Sequence, residues 1–277
     1  IGKTFGVDPV IARIVRNREV VGEEALRAYF SPELSDLHDP SSLKGAREAA
    51  ALLQKKISEQ KKIRIIGDYD IDGIFSTYIL YDGLKSCGAC VDYVLPHRID
   101  DGYGLSEKLI REAEGDGCDT VLTCYNGIAA AAEIALAKEL GMTVIVTDHH
   151  EVPLCWEGDQ ATPVLPPADA VVDPKQPGCA YPWKGICGAV VAWKVLQLLQ
   201  RMFGRENDWQ QYLECAAFAT VGDVMELRGE NRTIVSLGIR QMHRTENTGL
   251  RALILQNRLE PEQVRAYHIG FVLGPCM

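Results

Sequence analysis

Nowhere does this chain run apolar for the ~18 consecutive residues that a membrane-spanning helix needs. A helical membrane protein is therefore not expected. The opening residues, IGKTFGVDPV, lack the basic and apolar regions of a secretory signal, which makes the cytoplasm the expected compartment. Basic residues are also short: 29 Lys and Arg stand against 38 Asp and Glu, a net charge of -9. That is not the usual footprint of a nucleic-acid binder, so a nucleic-acid reading must set the acids around metal ions or find its basic surface elsewhere. A disulfide framework is missing too. The nine cysteines are odd in number and scattered through apolar segments, which suits free thiols. The single CxxC at Cys87 to Cys90 has no second pair, and zinc is left without a ligand set.

What is present suffices for a full core: 47% of the 277 residues are hydrophobic and 24% charged, the balance of an ordinary globular chain. Residues 1–45 mix short helical pieces with breaks at Pro32 and Pro40 and read as a lead-in. REAAALLQKKISEQ then repeats apolar residues at three and four spacing, an amphipathic helix ending near Gln60. From there strand-like runs alternate with helical ones: IRII, VDYVLP, TVLTC, TVIVT and, after a Pro-rich loop, AVVDP. Short Val- and Ile-rich runs between helices predict an α/β fold, a parallel sheet with helices on both faces. After Pro182 the pattern turns helical, with one further helix from about Asn231.

Sheets of this kind bind ligands at the carboxyl ends of their strands, and three strand ends here carry polar clusters. IRII leads into GDYDIDG, with Asp68, Asp70 and Asp72; TVLTC into Tyr125-Asn126-Gly127; TVIVT into Asp148-His149-His150. Asp223 closes the apolar run ECAAFATVG, where a carboxylate opposes the helix dipole. Carboxylates crowded with imidazoles suit Mn²⁺, or Mg²⁺ completed by water, and such ions hydrolyse phosphoesters. A calcium loop is the alternative for DxDxDG, but its twelfth position, Ile79, is not the required Glu. Two adjacent histidines alone would more often be a solvated turn. Their company at two further polar strand ends favours ligands.

GDYDIDG, TVLTCYNGIAA, VTDHH and ATVGDV, in that order, resemble the four motifs of the DHH phosphoesterases. FSPELSDLHDP, LPHRIDDGYGL, YPWKGICGAVVAWK and MELRGENR resemble its RecJ branch. The resemblance implies an exonuclease that degrades single-stranded DNA from the 5′ end with two Mn²⁺ or Mg²⁺ ions, with repair or replication proteins as further partners. It makes Asp70, Asp72, His149 and Asp223 metal ligands, with Asp68 supporting them by hydrogen bonds, Asp148 orienting the site and His150 facing the scissile phosphate. Arg98 and Lys194 are weaker candidates for phosphate contact, set against a reading of both as ordinary surface charges. It also divides the chain into a lead-in (1–45), a DHH catalytic domain (46–228) and a helical connection (229–277) toward an absent DHHA1 domain, the chain being read as a fragment.

One position departs from the motif: Tyr125 stands where the resemblance expects the acid that bridges two metals. A phenol with an ordinary pKa of about 10 is neutral at pH 7 and bulkier than a carboxylate. Weakened metal binding, one ion or none, and reduced or absent activity are the expectation. Asn126 offers a neutral oxygen but points differently along the backbone. Two rivals stay open: a small DHH hydrolase acting on oligoribonucleotides, cyclic dinucleotides or pyrophosphate, and a module that binds DNA or protein without turnover.

Overall fold

The computed structural model describes residues 2–99 and 104–277. The phrase LPHRIDDGYGL is thus seen only at its two ends; positions 100–103 lie outside the described residues. Three short helices lead in: α1 (Gly2–Phe5), α2 (Pro9–Asn17) and α3 (Glu23–Phe30). They build a small apolar cluster of their own on Val15, Val20 and Leu26. The alternating body follows as α4 (Ala46–Ser58), β1 (Lys62–Ile66), α5 (Ile71–Ser86), β2 (Cys90–Val94), α6 (Glu107–Gly115), β3 (Thr120–Cys124), α7 (Ala131–Glu139) and β4 (Thr143–Thr147). Next come a two-stranded antiparallel hairpin, β5 (Leu154–Glu157) with β6 (Gln160–Pro163), and the short strand β7 (Ala170–Val172). The helices α8 (Gly188–Met202), α9 (Leu213–Gly222), α10 (Gly229–Met242) and α11 (Thr248–Gln256) complete the main elements.

The five remaining strands form one sheet in the order β2-β1-β3-β4-β7, and every pairing in it is parallel. The expected α/β architecture is what the chain adopts. Alternation of side chains along the strands splits the interior in two. Ile63, Ile65, Leu122, Cys124 and Ile145 face the larger core under α4, α5, α8 and α9. Ile66, Val121, Val144 and Val146 face a smaller one under α6 and α7. Central strands buried on both faces need apolar residues at every position, which is why they read as continuous runs.

Helix α8 lies in the middle of the larger core and is buried from Gly188 to Gln200. Helices α10 and α11 add Ile234, Val235, Met242, Leu250 and Ile254 to that same core. The lead-in docks on α10, where the Arg232 guanidinium stacks 3.6 Å over the Tyr29 ring and donates to the Tyr29 carbonyl. The hairpin lies where a Pro-rich loop was expected. Its Leu154 and Trp156 are exposed.

Candidate metal centre

Four chain segments meet at the carboxyl edge of the sheet. The first leaves β1 through Asp68 and turns at once into α5. Asp70 is the N-cap of that helix, its Oδ1 accepting from the Gly73 N–H at 2.8 Å. Only glycine fits at 73, because a Cβ there would stand 2.6 Å from the Asp68 carbonyl oxygen. Asp72, in the first helical turn, then points inward and is almost fully buried. Helix α8 has no side-chain cap of its own, since Cys187 occupies its N-cap position without capping. Asp72 supplies the cap from a distance: Gly188 N–H donates to Oδ2 at 2.6 Å and Ala189 N–H to Oδ1 at 2.7 Å. Two helix N-termini thus hold one carboxylate, and each favours its negative charge.

The last segments complete the centre. After β4, Asp148 is committed on both oxygens. Oδ2 accepts from Ile128 N–H at 2.9 Å, and Oδ1 accepts from His149 N–H at 2.7 Å, from His150 N–H at 3.1 Å and from His150 Nδ1 at 2.7 Å. The bonded Asp148 carboxylate raises the His150 pKa. His149 is buried, and burial lowers its pKa to about 4, so the ring is neutral at pH 7. Neither of its ring nitrogens makes a hydrogen bond of good geometry. Its Nε2 lies 3.6 Å from Asp72 Oδ2 and 3.7 Å from Asp223 Oδ2. Asp223 is the C-cap of α9.

Ligand atoms of Asp72, His149 and Asp223 all fall within 4.8 Å of one another. Burial pushes Asp72 up to about 8, helped by the Asp223 charge, and pushes Asp223 up to about 6, helped by Asp70. Unpaired neutral imidazole nitrogen between two destabilised carboxylates is a donor set made for a divalent cation. It has the composition for one Mn²⁺ or Mg²⁺ with water filling the remaining positions.

The other predicted residues are placed as follows. Asp70 is outside that convergence but lines, with Asp72, Asp223 and Arg98, an open cleft of about 630 Å³. Arg98 is exposed there, its guanidinium 4.7 Å over the Tyr69 ring. Asp68 is fully buried; Gly104 N–H lies 3.4 Å from its Oδ1, while its Oδ2 has no partner. Tyr125 is buried, with its ring centroid 5.4 Å from that of His149 and 5.0 Å from that of His150. Asn126 turns away from the triad, its amide donating to the carbonyls of Gly67 at 2.9 Å and Cys124 at 3.1 Å.

Lys194 is corrected on both of its readings. It is neither a phosphate contact nor a surface charge, because its ammonium is fully buried 2.7 Å from Glu230 Oε1. Three contributors went unread in the sequence. Tyr69 carries Arg98, the Gly188 and Ala189 amides hold Asp72, and Asp173 sits buried after β7 with Oδ2 unpartnered and its pKa pushed by burial to about 7. The missing cap residue before α8 was the one signal available for the second of these.

With this geometry in hand, comparison with known proteins is direct. Residues 62–220 match the DHH family, N-terminal domain. The chain is 37% identical over 269 residues to the single-stranded-DNA-specific exonuclease RecJ of Bacillus subtilis, covering 97% of this chain and 32% of that protein. It is 38% identical to RecJ of Thermus thermophilus over 84% of this chain and 34% of that protein. The chain therefore spans about a third of the length of these relatives. A crystal structure of exonuclease RecJ bound to manganese superposes with a TM-score of 0.73 at 35% identity, over 84% of this chain and 56% of that one. RecJ of Thermus thermophilus in complex with Mn²⁺ does so with a TM-score of 0.69 at 34% identity, over 93% of this chain and 37% of that one. By its motifs, its sheet and these matches, the chain belongs to the DHH family, with RecJ exonucleases among its relatives.

Proposed function

We propose that this chain is the catalytic core of a RecJ-like exonuclease, built to hydrolyse single-stranded DNA from its 5′ end, in which Tyr125 at the bridging position curtails turnover. The observation that carries the reading is the convergence of Asp72, His149 and Asp223 beside the Asp148–His150 pair at one sheet edge. A divalent cation on that triad would polarise a phosphodiester and lower the pKa of water. The protein's own groups do the rest. Asp148 accepts from His150 Nδ1 and so places that ring's proton there; in the imidazolium form His150 can hand a proton to a departing oxygen. Arg98, held over Tyr69 at the cleft with Asp70, supplies positive charge for a phosphate. Asp68 is read as the support of the first motif. Residues 46–228 carry this chemistry, with 1–45 a lead-in and 229–277 a helical connection.

The same reading places the protein in the cytoplasm, in DNA repair and recombination beside other repair or replication proteins. Among the described residues no helix is long and apolar enough to cross a membrane. A second reading, a DNA-binding module without turnover, is favoured by the buried ring of Tyr125 at the triad's flank. End-labelled single-stranded DNA with Mn²⁺ separates the two. The parent is expected to release little or no 5′ mononucleotide and Tyr125→Asp to release it progressively, while duplex DNA is spared. A variant that holds the strand yet never cleaves it favours the binding module, and cleavage confined to short oligoribonucleotides points to the small-hydrolase rival.

A further inference from the structure

We infer that the centre takes a single divalent cation, on Asp72, His149 and Asp223, and that the ring of Tyr125, not its hydroxyl, closes the space beside it to a second. The inference rests on reading this triad as a metal site. Two observations carry it further than that reading.

The first is the supply of anionic oxygen. Among the described residues one group of three ligating side chains converges, and it offers one nitrogen and two carboxylates. Two ions ~4 Å apart need a shared anion and further ligands on each side. Most of the neighbouring acid oxygens are committed: Asp148 accepts four hydrogen bonds, Asp70 Oδ1 caps α5 and Asp68 Oδ1 turns toward Gly104, which leaves Asp68 Oδ2 as a buried carboxylate oxygen without a partner. At position 125 stands a phenol, which brings no carboxylate to the centre.

The second is room. The Tyr125 ring packs against both imidazoles and, on its other side, against the first turn of α8. A Cβ added at Gly188 would lie 3.2 Å from its Cδ2 and 3.1 Å from its Cα, so no side chain fits between the start of α8 and the ring. Two histidines and the start of α8 thus border the buried ring. Its backbone is also strained, with φ at 69°, in the left-handed region that Asp and Asn tolerate better than an aromatic residue. The position accommodates a short acid more readily than the residue it holds.

Calorimetric titration with Mn²⁺ alone tests this, with circular dichroism melts to establish that each protein is folded. The expected stoichiometry is one ion for the parent, one for Tyr125→Phe, two for Tyr125→Asp and none for Asp223→Asn. Two ions or none on the parent would overturn the inference. Loss of the ion in Tyr125→Phe would make the phenol oxygen a ligand and overturn it as well. One ion on a folded Tyr125→Asp would show that the ring is not what limits occupancy. Because the readout is stoichiometry, a nuclease assay that fails leaves this result standing, and the reverse also holds.

Discussion

Two buried polar clusters adjoin helix α8, and they are built on opposite rules. Along its middle, Lys194, Glu230, Tyr181 and His38 form a closed network. Lys194 Nζ meets Glu230 Oε1 at 2.7 Å and donates to the His38 carbonyl at 2.8 Å; His38 N–H donates to Glu230 Oε1 at 2.9 Å and Tyr181 OH to Oε2 at 2.5 Å. At its first turn the second cluster stays open, with both His149 nitrogens unpartnered and two carboxylates raised by burial. A satisfied network rigidifies, whereas an unsatisfied one is sustained only when the surrounding fold forces it. The first ties the lead-in to the core. The second holds donors in place for something that the protein alone does not supply.

The largest effect should come from breaking the closed network. Glu230→Ala leaves an ammonium buried without its counter-charge, and leaves Tyr181 OH and His38 N–H without their acceptor. A loss of about 3–5 kcal/mol is expected, measured by urea unfolding at pH 7. Asp223→Asn should behave in the opposite way. It removes a carboxylate at the C-terminus of α9, a position that the helix dipole disfavours and that burial has already raised. The metal-free fold is expected to gain about 0.5–1 kcal/mol while Mn²⁺ binding disappears. A substitution that stabilises the fold and abolishes a ligand marks a site kept at the fold's expense. Destabilisation by Asp223→Asn comparable to that of Glu230→Ala would remove the distinction between the clusters.

The sheet was legible because strands buried on both faces leave no choice of residue, and the polar ends of β1, β3 and β4 stand out against those runs. The centre was legible for a related reason: acids and imidazoles following buried strands have no packing role. What escaped depends on contacts far apart in sequence. Lys194 looked like a surface charge because α8 is buried all round and presents no polar face against which to judge it. Its partner lies on α10. Asp70 and Asp72 alternate in sequence as if aimed at one point, but a helix beginning at Ile71 makes the first a cap and turns only the second toward the triad. The hairpin β5–β6 was hidden by prolines around it, although Gly158-Asp159 between its strands is a recognised turn pair.

A half-buried charge pair outside both clusters gives the smallest effect and the scale against which they are judged. Asp92 on β2 lies opposite Arg64 on β1, with Arg64 Nη2 and Oδ2 2.7 Å apart and Nε donating to Oδ1 at 2.8 Å. The hydrogen-bonded guanidinium holds this carboxyl below its ordinary 3.8. A depressed acid stabilises the fold above its unfolded pKa, and that contribution is lost as pH falls through the lower folded value. The benefit should therefore be full at pH 7 and fade only in acid, below 3.8. Its size is limited, because the carboxylate is about a third exposed and water screens the pair, and because Arg64 keeps Asp116 at 2.9 Å when Asp92 is removed. Asp92→Asn is expected to lose under about 1 kcal/mol at pH 7 and progressively less as the pH falls below 3.8, measured by thermal melts across that range. A larger loss would mean that charge pairing at the sheet edge, rather than enclosure, accounts for the strength assigned to the Lys194 network.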